Sequence, residues 1–280
     1  MVGSASQASL AQRMGLALAQ ALRAHRGAEL TPTLHDGRIR RLADLLIEGL
    51  DDQKLPGALD RTRLRSPDSA AALAVNTFLP WQALAQELPL CGWVGFDAIQ
   101  FEVRCPTGLR GTPPHLDLLA LRGHNAVAVT IRCSEYLSRR KSPVASSYDR
   151  LLADTPGIAA WQRELEGLRR NPGACRYVDL GALIKYALAL GRTFPERSAV
   201  LLYLFWEPLD ARQFEDFRRH RDELHGLVDR VQGSRIEFAA QSFSALWRDW
   251  EARPSPPWLA DHVRRLRARY CVSISEQPAS

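Results

Sequence analysis

The sequence predicts an α/β fold, and three observations carry that prediction. Residues 96–135 hold three apolar-rich runs separated by clusters of Gly and Pro. Runs of that length between such breakers read as consecutive strands of an antiparallel meander. Residues 199–206 (AVLLYLFW) form one continuous apolar run, the pattern of a strand buried on both faces. Between and around these runs, apolar residues recur at helical spacing, most clearly over residues 211–231.

Taken in order, residues 1–8 are small and polar and are expected to be disordered. Leu10, Met14, Leu18 and Leu22 mark a first helix that Gly27 ends. Ile39, Leu42, Leu45 and Leu46 predict a second over residues 37–49, with Asp36 as its N-cap. Residues 50–65 are polar and carry Arg61, Arg63 and Arg65. Residues 1–65 thus read as a helical extension of a core spanning 66–250.

The stretch Ser66-Pro67-Asp68-Ser69 reads as a helix start. That helix runs over 70–78, with Pro80 kinking or ending it. The three strands are expected at 96–104, 116–121 and 126–133. Helical patterns follow over 148–170, broken at Pro156-Gly157, and over 179–190, ended by Gly191. After the apolar strand come the helix at 211–231 and a shorter one at 241–250. Residues 251–280 form a C-terminal basic helix and tail, with Arg264, Arg265, Arg267 and Arg269 on what reads as a solvated face.

The chain has 280 residues, of which 46% are hydrophobic and 24% charged, the balance of a globular protein with a sizeable core. No apolar run approaches the ~20 residues of a membrane span, and no basic-then-apolar secretory start is present. The expectation is a cytoplasmic protein with no membrane partner. The five cysteines include no CxxC pair, which argues for free thiols and against zinc. His220 and His225 read as solvated or capping residues. A net charge of +6 and a pI of about 9.3 favour a polyanionic partner, foremost a nucleic acid.

Two acids sit where strands otherwise read as core: Glu102 in the first and Asp117 in the second. A carboxylate there needs a partner, a metal or an opening to water. The surrounding motifs bear on the choice. Residues 68–81 (DSAAALAVNTFLPW), Phe101-Glu102, Pro106-Thr107-Gly108-Leu109, Pro113-Pro114-His115-Leu116-Asp117 and Ser134-Glu135-Tyr136-Leu137 resemble a bacterial branch of the PD-(D/E)XK, or restriction-endonuclease-like, nuclease superfamily. Tyr177-Val178-Asp179, Ile184-Lys185-Tyr186 and residues 203–208 (YLFWEP) extend the resemblance over roughly residues 66–250.

The resemblance implies an α-β-β-β-α-β core with a mixed sheet flanked by helices. It also implies Mg²⁺-dependent hydrolysis of DNA phosphodiesters, with Asp117 and Glu102 as metal ligands. Mg²⁺ takes oxygen ligands and offsets the charge that gathers on an attacked phosphodiester. The family's third-strand Glu-x-Lys falls here on Thr130-Ile131-Arg132, and Ala182 replaces an expected glutamine. A hydroxyl replaces a carboxylate, and a planar guanidinium replaces a compact ammonium.

Three functional readings follow. In the first, the metal site is impaired, Arg132 pairs with Asp117 or Glu102, and the chain serves as a DNA-binding or complex subunit, with a protein partner or as a homodimer. In the second, it is an active Mg²⁺ endonuclease in which Glu135 swings in as the missing ligand and Lys185 reaches the site. In the third, it is a scaffold for other proteins. Arg139, Arg140 and Lys141 follow the third strand directly and are candidate phosphate contacts, with Lys185.

Overall fold

The computed structural model describes residues 9–27, 38–138, 141–254 and 256–275. Among these residues five strands form one mixed sheet in the order β1-β2-β3-β4-β5: Ala98–Arg104, His115–Arg122, Asn125–Arg132, Ser198–Phe205 and Ile236–Ser242. β1, β2 and β3 are the expected antiparallel meander. β4 runs parallel to β3 and β5 parallel to β4. β3 and β4 are buried along nearly their whole length, so helices cover both of their faces.

Among the described residues eight α-helices flank the sheet: α1 (Leu10–Arg26), α2 (Ala70–Phe78), α3 (Ser147–Ala153), α4 (Ala159–Arg170), α5 (Leu180–Thr193), α6 (Glu215–Val231), α7 (Phe243–Glu251) and α8 (Pro257–Tyr270). α2 packs on β2 and β3, and α5 on β4 and β5. The order from α2 through β4 is therefore helix, three strands, helices, strand.

Several expectations are corrected. Among the described residues 38–49 no α-helix forms; a 3-10 turn spans Leu42–Leu45, and Asp36 and Gly37 lie outside the described residues. The segment's backbone finds tertiary partners instead. Ile39 N–H donates to the Arg65 carbonyl, while Asn76 accepts from Ile47 N–H and donates to the Leu45 carbonyl. With those groups satisfied elsewhere, the helical ladder has no advantage. Ser69, rather than Ser66, caps α2, accepting from Ala72 N–H at 3.1 Å. Gly191 does not end α5, which continues to Thr193; a Cβ there would lie 2.9 Å from Thr155 Cγ2, so the glycine serves close packing. The strand β5 was not expected, and α6 begins at Glu215 after a 3-10 turn at Ala211–Gln213.

The segment before Ser66 and the helix after residue 250 share one continuous core with the sheet. Met14, Leu18 and Leu22 of α1 and Leu259, Val263 and Leu266 of α8 are buried in it. Arg269 overturns the solvated reading of its helix face. It is 1% exposed and donates to the carbonyls of Leu18 and Pro67 at 2.9 Å each. The five cysteines are free, as expected.

Candidate functional site

The site is built at the end of the sheet where β2 and β3 part while β1 stays paired with β2. In the antiparallel register Phe101 faces Leu118 and Val103 faces Leu116, which sets Glu102 opposite Asp117. Residues directly opposite on neighbouring strands project to the same face. Glu102 holds φ at 52°, a left-handed conformation unusual for a side chain with a Cβ. On the other side, the ladder between β2 and β3 reaches Leu118 and Val129 at this end. Beyond it the Asp117 carboxylate takes over, its Oδ2 accepting the Ile131 N–H at 2.7 Å.

Both acids are only 6% exposed, and a cation spans them. Arg63 Nη1 donates to Glu102 Oε1 at 3.2 Å and Oε2 at 3.0 Å, and its Nη2 lies 3.9 Å from Asp117 Oδ1. His115 Nδ1 is 2.9 Å from Glu102 Oε2. Arg132 Nη1 lies 3.9 Å from Asp117 Oδ2 and donates to the Ile131 carbonyl at 2.7 Å, and the Tyr186 hydroxyl joins the same guanidinium. Burial raises the pKa of Glu102; Arg63 opposes that rise and the neighbouring Asp117 charge adds to it. Burial also raises Asp117, opposed first by Arg132 and then by the Ile131 N–H. The charges of the two arginines oppose the rise that burial imposes on both carboxylates.

This donor set does not fit Mg²⁺. The metal needs converging oxygens, ordinarily several carboxylates or waters in octahedral geometry. Here the guanidinium of Arg63 already bridges the two acids. Thr130 supplies a neutral hydroxyl that is fully buried and has no hydrogen-bond partner. Among the described residues no group of three His, Cys, Asp or Glu side chains is arranged to hold a metal ion.

The remaining sequence candidates are dispersed. Glu135 does not join the acid pair through any contact; its Oε2 accepts the Cys133 N–H at 2.6 Å. Protein packed around that carboxyl raises its pKa, with Arg132 pulling the other way. Lys185 is turned toward α3, its Nζ 5.8 Å from the Tyr148 ring centroid, and Tyr186 faces the site in its place. Arg139 and Arg140 lie outside the described residues. Lys141 helps line a cavity of about 440 Å³ with Arg132, Glu135, Asp179 and Tyr203, where burial lowers its pKa.

Sequence reasoning missed Arg63 and His115 as site residues. Arg63 precedes Glu102 by 39 positions and sits in a 3-10 turn of the segment read as an extension. No local pattern couples the two. His115 had a signal: on β2 it lies two residues from Asp117, hence on the same face. His220 is also not solvated. It is 1% exposed, stacks on Tyr136 at 4.0 Å between centroids, and places Nε2 3.3 Å from the Tyr203 hydroxyl. Its position completes the buried stripe Phe217, Leu224, Leu227 and Val231 of α6.

No protein-family model, curated protein or solved structure matches this chain.

Proposed function

We propose that the chain is a restriction-endonuclease-like protein that binds DNA without cleaving it, as a nucleic-acid-binding subunit of a complex. The observation that carries this reading is the Arg63 guanidinium spanning Glu102 and Asp117. The resemblance implies that Asp117, with Glu102 beside it, would hold a divalent cation in an active nuclease. The Arg63 guanidinium at that place, with Arg132 close to Asp117, offsets the charge that a metal would otherwise offset. The replacement of Glu-x-Lys by Thr130-Ile131-Arg132 supports the same reading, since it removes a third carboxylate and adds a second guanidinium. The order helix, three strands, helices, strand supports the fold assignment.

The DNA-binding half of the proposal rests on the net charge of +6 and on exposed arginines beside the site. Arg61 and Arg104 are exposed, and Arg104 stands on the edge strand two residues past Glu102. Arginines on such a rim suit phosphate contacts.

The test is incubation with plasmid and with single-stranded DNA in Mg²⁺ and in Mn²⁺, together with gel shifts over a range of salt. The expected outcome is no cleavage and a shift that weakens steeply with salt. Cleavage that disappears in Asp117→Asn would overturn the non-catalytic reading. Absence of any shift at low salt would overturn the DNA-binding reading and leave a protein scaffold.

A further inference from the structure

A cavity of about 410 Å³ lies between α4, the start of α5 and the strap of residues 141–144. The strap is fixed to α5. Asp179 accepts from the Ser142 N–H at 3.1 Å and from its hydroxyl at 2.7 Å, and also caps α5 through the Ala182 N–H. The Ser142 carbonyl passes so close over Gly181 that a Cβ there would collide with it. A pinned segment therefore forms one wall, and the volume falls in the range of small-molecule sites.

The walls are mainly apolar. Leu165, Val178 and Leu180 are buried in the core, and Val144 and Leu168 are half-buried. Among the described residues the lining holds two cations, Lys141 and Arg169, and no carboxylate. Arg169 is already matched, its Nη2 2.8 Å from Asp149 Oδ1. Lys141 is half-buried and makes no hydrogen bond or ion pair with a described residue. The charges of Asp179 and Glu223 reach it, but both carboxylates are occupied elsewhere. Asp179 holds the strap, and Glu223 accepts the backbone N–H groups of Arg176, Tyr177 and Val178 at 2.7, 2.9 and 2.8 Å. Burial already disfavours the ammonium of Lys141, so an anion beside it would be stabilising.

We propose that this cavity binds a small carboxylate with an apolar body, the chemistry of a medium-chain alkanoic acid, with its head on Lys141 and its body among the leucines. The lining selects each part of that ligand. A cation finds no acid in the walls to pair with. The hydroxyls of a sugar or the polar edge of a nucleobase would be left unpaired against Leu, Val and Pro side chains. One unmatched cation balances one negative charge, which suits a carboxylate better than a phosphate ester carrying nearly two at neutral pH. The site does not depend on the acid pair or on the DNA-binding reading.

Titration calorimetry of the full chain with octanoate, octanol, octylammonium and inorganic phosphate tests the assignment. Octanoate is expected to bind saturably. Octanol has the body without the charge and should bind about tenfold or more weakly, the effect of one charge-assisted hydrogen bond. Octylammonium and phosphate should give no saturable heat. Lys141→Met should weaken octanoate by the same factor and leave octanol unchanged, and Lys141→Glu should turn the preference to octylammonium. Leu168→Trp fills the cavity from the α4 side and should weaken octanoate and octanol alike. Melting temperatures equal to the parent's show that these variants keep the fold. Equal affinity for octanoate and octanol, undiminished octanoate binding in Lys141→Met, or no saturable octanoate binding at all overturns the assignment. Tighter binding of a peptide ending in leucine than of octanoate would make the cavity a receptor for a protein C-terminus and overturn the small-molecule reading.

Discussion

Asp117 does two jobs that a substitution separates. One oxygen replaces a backbone carbonyl at the point where β2 and β3 part, accepting the Ile131 N–H; the charge offsets Arg132 and Arg63. Asp117→Ala removes both and leaves a buried N–H unpaired beside an uncompensated guanidinium. A loss of about 3 kcal/mol is expected in urea unfolding. Asp117→Asn keeps the acceptor, so its loss should be nearer 1 kcal/mol. Equal losses would show that the charge, and not the backbone hydrogen bond, holds this end of the sheet. The identity of the acids was legible in the sequence, because a carboxylate amid Leu, Val and Ile stands out in a strand. Their counter-ion was not. Arg63 reaches Glu102 only after the chain folds, and nothing in residues 50–65 distinguishes it from Arg61 or Arg65.

Elements were legible where a period or a pair of breakers marked them. The meander shows because Gly and Pro bracket each strand, and α6 shows because its apolar residues repeat every three or four positions. β5 has only the Ile236-Glu237-Phe238 alternation before it becomes half-buried, too short a signal beside a helix. The helix reading at 37–49 failed for the converse reason: a sound apolar period lost to the side chain of Asn76. His220 shows how an element binds to the sheet. It lies between α6 and β4, against Tyr136, Tyr203 and Phe205, and burial lowers its pKa to about 3 from 6.5. Because the folded-state pKa is the lower one, the unfolded chain takes up the proton first as pH falls. The stability that neutral His220 contributes is full above pH 6.5 and fades toward about pH 3. By about pH 5 the loss is about 2 kcal/mol. Glu102 and Asp117 have raised pKa values and act with the opposite sign, gaining stability as pH falls through them. Those contributions are common to the parent and to His220→Phe. Denaturant unfolding at neutral pH and near pH 5 should therefore show a fall smaller by about 2 kcal/mol in the variant. Parallel falls would place the proton uptake elsewhere, with His262, whose pKa burial lowers to about 4, the next group to test.

At the scale of the whole molecule, the division into an extension, a core and a basic tail describes the sequence better than it describes the packing. Asn76, in the middle of α2, donates to the Tyr270 hydroxyl at 2.6 Å as well as to the Leu45 carbonyl. Arg269 ties α8 to α1 and to the start of α2 through the Leu18 and Pro67 carbonyls, with its guanidinium 4.7 Å from the Tyr270 ring centroid. Trp206 Nε1, at the end of β4, donates to the Tyr270 carbonyl at 2.8 Å. Cutting the chain to residues 66–250 strands every one of these groups. It also strips the buried side chains Leu259, Val263, Leu266 and Tyr270 from the core. At about 2 kcal/mol for each buried side chain, those four alone approach the 5–15 kcal/mol by which a domain is ordinarily stable. Residues 66–250 expressed alone are therefore expected to lack a cooperative thermal transition and a dispersed proton NMR spectrum. The full chain should show both. The Arg63 guanidinium would be lost with the same cut, so the acid pair would face solvent or repel. A cooperatively folded 66–250 fragment would mean that the two flanking segments merely cover the core, and that Arg63 is an addition to a site able to stand without it.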